Sequence, residues 1–189
     1  YEVERSIYDV LVHRAPVHLV TRPTGESGYS VLPANGDLTA AEVELLNVDH
    51  RERRLRSALA EVSGQYDYIL IDCPPSLNML TINALVAANG VIIAMQCEYF
   101  ALEGLAALVR TIEGVAETSN AELQIQGILR TMYDPRNSLT NDVSAQLRAH
   151  FGDTVYRTVV PRNVRLAEAP SHGLPAMYYD KNSRGSKAY

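Results

Sequence analysis

The apolar run at residues 68–71 most constrains the fold of this chain, because it ends abruptly in Asp72, a cysteine and two prolines. A continuous apolar run of this length is typical of a strand buried on both faces, as in a parallel sheet covered by helices. The prolines lack N–H groups and cannot continue a sheet. The sequence therefore predicts that Asp72 lies at the carboxyl end of a strand, where open α/β sheets bind ligands.

An acidic residue at that end of a strand can hold Mg²⁺, usually through a water molecule, against the phosphates of a nucleotide. The alternative is an aspartate that merely ends a strand and caps the next helix. The thiol and the prolines that follow Asp72 favour the nucleotide interpretation.

Strand patterns alternate with amphipathic helix patterns after residue 78, which predicts a doubly wound α/β fold. The predicted strands are 91–95, 125–132 and 155–160, and the predicted helices are 79–88, 102–117 and 139–151. Before residue 66 the pattern predicts a helix at 4–13 and strands at 17–20 and 29–32. It then predicts a helix capped by Asp37 or by Thr39, the latter with a capping box to Glu42. Residues 183–189 begin like a helix, with no helix expected after them.

Composition excludes several classes of protein. The chain has 189 residues, a net charge of −5 and no apolar run of 18 residues, so we expect no transmembrane helix and no general basic field for nucleic acid. Charged residues interrupt the start, which lacks a secretory pattern. Cys73 and Cys97 are 24 residues apart, which fits neither a zinc site nor a disulfide framework and indicates a reducing cytoplasm.

Several segments, in order along nearly the whole chain, resemble the ParA (Soj-like) family of chromosome- and plasmid-partitioning ATPases of the deviant Walker P-loop class. The matching segments are SVLPANGDLTAAEVELL from Ser30, YDYILIDCPPSLNMLTINAL from Tyr66, QCEYFALEGLAALVRTI from Gln96, GILRTMYDPRN from Gly127 and VPRNVRLAEAPSHGLPA from Val160. The last two segments are specific to the partitioning branch.

The resemblance implies a three-layer α/β fold, with helices on both faces of a mostly parallel twisted sheet. It also implies ATP and Mg²⁺ as cofactors and a homodimer that encloses ATP. The implied partners are nonspecific DNA and a ParB-like centromere-binding protein, and the implied location is the nucleoid of the cytoplasm, with no membrane.

The sequence departs from the family by lacking a GxxxxGK[ST] phosphate loop. Residue 1 would follow the family's first switch, and the chain would stop before the usual C-terminal helix. We therefore expect residues 1–189 to form a single partial ATPase domain. Its catalytic residues would lie upstream of Tyr1, so the chain alone would not turn over ATP.

By resemblance, Asp72 is the Walker B carboxylate and residues 73–77 are the second switch. Glu98, after the next strand, would shape the dimer face or contact the switch. The resemblance also implies that Pro161 and Asn163 lie beside the adenine, with Met132 close. The alternative for the last three residues is a loop that simply turns.

Arg136 and Arg165 occupy positions where the family uses arginines to contact DNA without reading its sequence. The planar guanidinium suits phosphate because it donates two parallel hydrogen bonds. Arg130, Arg162 and Arg184 are candidates for the same surface, although the neighbours of Arg162 are expected to hold the base. The alternative is a set of scattered solvated arginines, which is also our interpretation of the basic run at 51–56.

Two rival functions remain open at this stage. One is another deviant Walker positioning ATPase, MinD-like or of the division-site type. The other is a nucleotide-free interaction module that binds DNA or a sister subunit. A Ser171–His172–Asp180 hydrolase triad is a weaker idea, because the segment has no G-x-S-x-G elbow.

Overall fold

The computed structural model describes residues 3–25, 28–74 and 76–189. They form two compact units. The first contains the chain up to Asn89 together with Gly114–Leu123, and the second contains Gly90–Glu113 together with Gln124–Tyr189. No helix in these described residues is long and apolar enough to cross a membrane.

The first unit is built of short helices around two apolar clusters. Its helices are α1 (Ile7–Leu11), α2 (Val17–Val20), α3 (Leu38–Glu44), α4 (Arg54–Ala60) and α5 (Met79–Ala87), with 3₁₀ segments at Leu45–Asn47, Arg51–Arg53 and Ser63–Gln65. Two short exposed strands, β1 (Arg22–Pro23) and β2 (Ser30–Val31), pair antiparallel. The larger cluster comprises Leu11, Ala41, Leu45, Leu55 and Ala84, and the smaller one Val10, Val17, Val20 and Val62.

The second unit contains a parallel sheet of three strands in the order β3-β4-β5. The strands are β3 (Gly90–Gln96), β4 (Gln124–Tyr133) and β5 (Val155–Pro161), and the helices are α6 (Tyr99–Thr118, of which residues up to Glu113 belong here), α7 (Ser138–Phe151), α8 (Val164–Glu168), α9 (Ala176–Tyr179) and α10 (Arg184–Ala188). Further 3₁₀ segments lie at Gly152–Thr154 and Ala169–His172. Tyr133 pairs with Pro161, so β4 and β5 end at the same edge of the sheet. The parallel sheet with its helices confirms the predicted α/β fold class.

The apolar run at residues 68–71 does not form the buried strand that the sequence predicts. Leu70 is 91% exposed and Tyr68 is 86% exposed, and no ladder includes this run in the described residues. A strand requires a neighbouring backbone to satisfy its N–H and C=O groups. The run is apolar, but an apolar sequence does not by itself provide the neighbouring strand.

Two other predicted strands were wrong or too long. Residues 17–20 form helix α2, which begins after Pro16 and buries Val17 and Val20 on one side. A run of four apolar residues has no period that separates a strand from a helix, so such runs are easily misassigned. The predicted strand at 29–32 shortens to the two residues of β2.

Helix caps also differ from the prediction. Ser6 forms a capping box with Asp9 at α1, a feature that the sequence analysis missed. The box expected between Thr39 and Glu42 is absent, since Asp37 is the N-cap without a side-chain bond and Glu42 accepts a hydrogen bond from Asn78 instead. The helix start predicted at residues 183–189 is the short helix α10. The Ser183 hydroxyl caps it by accepting a hydrogen bond from the backbone N–H of Ser186.

Strand β3 is buried on one face only. Ile93 and Met95 lie in the core, whereas Ile92, on the opposite face of the strand, is 56% exposed. In the described part of the chain β3 pairs with β4 alone and is the edge of the sheet. The strand predicted at 91–95 is therefore present, with one of its two faces buried.

Candidate functional site

Asp72 lies in the first unit with its side chain exposed to solvent. It makes no hydrogen bond or ion pair with the described residues. The preceding Ile71 packs against the larger apolar cluster, which fixes the chain immediately before the carboxylate. The Asp72 carboxylate is thus free to accept a ligand.

The segment after Asp72 is held at its far end by the start of α5. Asn78 caps this helix by accepting the backbone N–H of Thr81 at 3.0 Å, and the Thr81 hydroxyl donates to the Ser76 carbonyl at 2.6 Å. Pro75, within the predicted second switch, lies outside the described residues. Ile71, just before this loop, is packed against the apolar cluster, and the helix that follows the loop is capped.

Met132, Pro161 and Asn163 come together in the second unit, where β4 and β5 end. Tyr133 pairs with Pro161, and the backbone N–H of Arg162 donates to the Tyr133 carbonyl at 3.3 Å. Met132 is half exposed and has a positive φ of 48°, an unusual backbone conformation for a side chain of this size. The structure thus joins the three predicted base-contacting residues at one sheet edge.

The side-chain amide of Asn163 has one acceptor group and one donor group, and the acceptor is already hydrogen-bonded within the protein. It caps α8, and its Oδ1 atom accepts the backbone N–H of Arg165 at 2.9 Å. The NH₂ group makes no hydrogen bond with the described residues. Asn163 can therefore donate to a ligand, a narrower role than the donor-and-acceptor pairing expected from the sequence.

Arg136 stands at the turn after β4, with its side chain 88% exposed. Its Nε and Nη2 atoms each lie 3.0 Å from a different oxygen of Asp134. The side-chain and backbone hydrogen bonds from Arg136 lower the pKa of Asp134 to about 2. The charge of Arg162 also lowers this pKa, so a second arginine lies close to the same turn.

Arg165 lies in α8 between two carboxylates. Its Nη1 is 2.8 Å from Glu168 Oε2, and its Nε is 3.5 Å from Asp180 Oδ2. The Tyr179 hydroxyl donates to Glu168 Oε2 at 3.2 Å. The hydrogen bond from Arg165 is the main reason that the pKa of Glu168 lies below its ordinary value. Arg165 is half exposed and remains accessible to a ligand.

Arg130 does not belong to this surface, and its inclusion among the DNA-contacting candidates was wrong. The side chain is 1% exposed and donates to Ser144 at 2.8 Å and to the carbonyls of Tyr156 and Arg157. Arg130 is buried because β4 is the central strand of the sheet. The positions of the arginines in the sequence do not reveal this. Arg162 and Arg184 are exposed.

Three acidic side chains next to these arginines were missed as part of the site: Asp134, Glu168 and Asp180. Glu168 follows Arg165 by three residues, a spacing that brings side chains together on a helix, so this pair was visible in the sequence. Asp134 precedes Arg136 by two residues in a turn, a spacing that does not by itself indicate a pair. Ser171, His172 and Asp180 form no triad, because the Ser171 hydroxyl donates to a backbone carbonyl and His172 stacks on Tyr179.

Comparisons with known proteins show which sequences this chain is similar to. A family described as "AAA domain" matches residues 1–125. The chain is 52% identical over 186 residues to the chromosome partitioning protein ParA of Caulobacter vibrioides, covering 97% of this chain and 70% of that protein. It is 49% identical over 188 residues to the sporulation initiation inhibitor protein Soj of Bacillus subtilis, covering 100% of this chain and 74% of that protein.

A solved structure shares the fold over the entire chain. Cobyrinic acid a,c-diamide synthase from Mycobacterium smegmatis, crystallised with bound ADP and magnesium, superimposes with a TM-score of 0.83 at 34% identity. The match covers 100% of this chain and 69% of that one. With ParA and Soj aligned over nearly its whole length, the chain belongs to the ParA/Soj family of chromosome-partitioning ATPases.

Proposed function

We propose that this protein is a partitioning ATPase that binds DNA without sequence preference and moves a chromosome or plasmid. In the complete protein, ATP-dependent dimerisation would enable DNA binding, and hydrolysis stimulated by a partner would release the DNA. The observation that carries the proposal is the exposure of Arg136 and Arg165 beside the shared end of β4 and β5. The names of the relatives agree with a partitioning role.

The proposed ligand of Arg136 and Arg165 is the phosphate backbone of duplex DNA. Guanidinium groups bind phosphate oxygens through their planar array of donors. Contacts to phosphates hold a protein on the duplex but carry no sequence information, and they weaken as salt rises. The protein should therefore bind unrelated duplexes with similar affinity.

Asp72 is the proposed ligand for Mg²⁺, through water. A carboxylate oxygen is a donor that Mg²⁺ prefers, and the ion is commonly bound by one or two carboxylates together with phosphates and waters. The free, exposed carboxylate of Asp72 fits that role. In the described residues no group of three or more His, Cys, Asp or Glu side chains could hold a metal ion, so phosphate oxygens would complete this site. The ion would neutralise charge on the phosphates of ATP.

Pro161, Asn163 and Met132 are the proposed contacts for adenine. Pro161 and Met132 present apolar surface, and the Asn163 NH₂ group can donate to a ring nitrogen of the base. These contacts orient the base and leave the phosphates free. A homodimer, a ParB-like partner and a cytoplasmic, nucleoid-associated location complete the proposal by analogy with the family.

One alternative function is a nucleotide-free module that binds DNA. Titration of a fluorescent ATP into the protein, with and without Mg²⁺, separates the two functions. We expect binding that depends on Mg²⁺ and falls about tenfold or more in the variant Asp72→Asn, because partners that act through a metal-bound water contribute affinities of that order.

The matched control for this titration is Asp67→Asn, which removes an exposed carboxylate five residues earlier. This variant should bind ATP like the unaltered protein. Equal ATP binding by the two variants, or binding that ignores Mg²⁺, would contradict the role of Asp72. Binding of DNA without any binding of ATP would support the nucleotide-free module instead.

A further inference from the structure

The two arginines proposed to contact DNA are both paired with carboxylates of the same chain. Arg136 faces Asp134 through two 3.0 Å contacts, and Arg165 lies 2.8 Å from Glu168 and 3.5 Å from Asp180. The first group is neutral, and the second carries one net negative charge. A DNA phosphate approaching Arg165 therefore meets a group of net negative charge, and one approaching Arg136 meets a neutral pair with Arg162 nearby.

The Asp134 pair is built into the turn after β4. Oδ1 of Asp134 accepts both the Nε–H and the backbone N–H of Arg136, the latter at 3.1 Å. The guanidinium nevertheless keeps outward-facing donors, since it has five N–H groups and only two point at Asp134. The ion pair thus cancels the charge of Arg136 without covering its surface.

Glu168 is held in place from two sides. It accepts from Arg165 and from the Tyr179 hydroxyl on the same oxygen, Oε2, and the Tyr179 ring stacks on His172. Asp180 accepts the backbone N–H groups of Asn182 and Ser183 at 3.1 Å, so it too is fixed. The carboxylates around Arg165 are therefore ordered features of the surface and not chance neighbours.

Binding of phosphate by an arginine in such a pair is an exchange of one anion for another. The affinity gained from DNA depends on the condensed counterions that positive charge releases. An arginine whose charge is already cancelled releases fewer counterions, so each contact is weak and readily reversed. Exposed ion pairs are themselves weak, so phosphate can compete with them.

We infer that Asp134, Glu168 and Asp180 set the affinity of this protein for duplex DNA by holding Arg136 and Arg165 as charge-compensated pairs. This inference rests on the proposed DNA binding. The carboxylates are affinity-lowering residues, and DNA gains its contacts only by replacing them or sharing their arginines. Such a surface favours rapid release.

The test is the binding of a fluorescent duplex, with ATP and Mg²⁺ present and at several chloride concentrations, to the unaltered protein and to Asp134→Asn and Glu168→Gln. Both changes keep the shape of the side chain, and an asparagine at position 134 can still accept the backbone N–H of Arg136. We expect each variant to bind DNA about two- to fivefold more tightly, the range set by the weak exposed ion pair that is lost. The salt slope should rise by up to about 0.9 for each arginine released.

Asp142→Asn is the matched control, because it removes an exposed carboxylate of α7 that makes no ion pair with the described residues. It should change DNA affinity less than Asp134→Asn does. If Asp134→Asn and Asp142→Asn increase DNA affinity equally, the effect comes from net charge alone and the inference is overturned. Circular dichroism confirms that each variant is folded.

Arg136→Ala and Arg165→Ala distinguish this inference from the proposed function. Weaker DNA binding in these two variants, with unchanged or weaker binding in Asp134→Asn and Glu168→Gln, would overturn the inference and leave the function standing. Unchanged binding in the arginine variants would overturn the DNA surface itself.

Discussion

Asp134 and Arg136 form an ion pair with two contacts, Nε to Oδ1 and Nη2 to Oδ2, each 3.0 Å long. The pair closes the turn after β4 and lies where β5 also ends. The hydrogen bonds from Arg136 hold the pKa of Asp134 at about 2, so the carboxylate stays charged at any physiological pH. Protonation therefore cannot release Arg136, and a competing anion can.

The first prediction concerns this pKa. The side-chain hydrogen bonds of Arg136 are its largest cause, so Arg136→Ala should raise the pKa of Asp134 towards its ordinary value of 3.8. Carboxyl carbon NMR shifts followed against pH give the value directly. Arg165→Ala should leave it unchanged. An Asp134 pKa near 3.8 in the unaltered protein would show that the pair does not persist in solution.

The same shift predicts an effect on stability. The pKa of Asp134 is lower in the folded than in the unfolded protein, so the pair stabilises the folded state above about pH 4. This contribution is lost as the pH falls towards 2. Asp134→Asn should therefore lower the urea midpoint at pH 7 more than at pH 3. A difference that grows on acidification would contradict the assignment.

Asn83 in α5 provides a test of the first unit. It is fully buried, accepts the backbone N–H of Leu55 at 3.1 Å, and donates to the carbonyls of Arg51 and Met79. Asn83→Ala leaves these buried groups without partners, which should cost about 1–3 kcal/mol of unfolding free energy. Urea denaturation measures the loss, and the exposed Asn182→Ala serves as the control. A loss no larger than that of the control would show that this network does not stabilise the fold.

Ser6 tests the cap that the sequence analysis missed. Its hydroxyl accepts the backbone N–H of Tyr8 and donates to Asn35 Oδ1 at 3.1 Å, and the residue is buried. Ser6→Ala should lower the unfolding free energy by about 1 kcal/mol. Thr39→Ala, at the position where the expected box does not form, should cost less. Equal losses would contradict the observed caps.

Catalysis provides a further prediction. Phosphoryl transfer requires an aligned water and neutralised phosphate charge, and Asp72 supplies only part of the second requirement. Since the 189 residues contain no GxxxxGK[ST] motif, we expect them to show no magnesium-dependent ATP hydrolysis in a phosphate-release assay. Phosphate release by the unaltered protein that is abolished in Asp72→Asn would contradict the expected lack of ATP hydrolysis.

The second half of the fold was predictable because its helices and strands have regular periods. Helices α6 and α7 and strands β4 and β5 each lie within a few residues of their predicted bounds. The errors fall on short apolar runs. Residues 17–20 are compatible with either a strand or a turn of helix, and residues 68–71 lack the described neighbour that a strand needs.

The candidate site was predictable only in part. Resemblance provided Arg136, Arg165 and the three residues predicted to contact the base, and Tyr133, next to Met132, pairs with Pro161 where β4 and β5 end. Their roles stay predictions. Burial of Arg130 was not predictable from spacing, because it depends on the position of β4 between two other strands. Among the carboxylate partners, Glu168 could have been found from its spacing of three residues from Arg165. Asp180 is distant in sequence, and the pairing of Asp134 with Arg136 depends on the turn.

The salt dependence of duplex binding by the double variant Arg136→Ala/Arg165→Ala tests the account most directly. The unaltered protein should bind two duplexes of unrelated sequence with equal affinity, and that affinity should fall as salt rises. The double variant should bind more weakly and with a smaller salt slope. The decrease should stay below about 1.8, because a full phosphate contact contributes about 0.9 and both arginines are charge-compensated. An unchanged affinity and slope, or a strong preference for one duplex sequence, would contradict the proposed DNA surface.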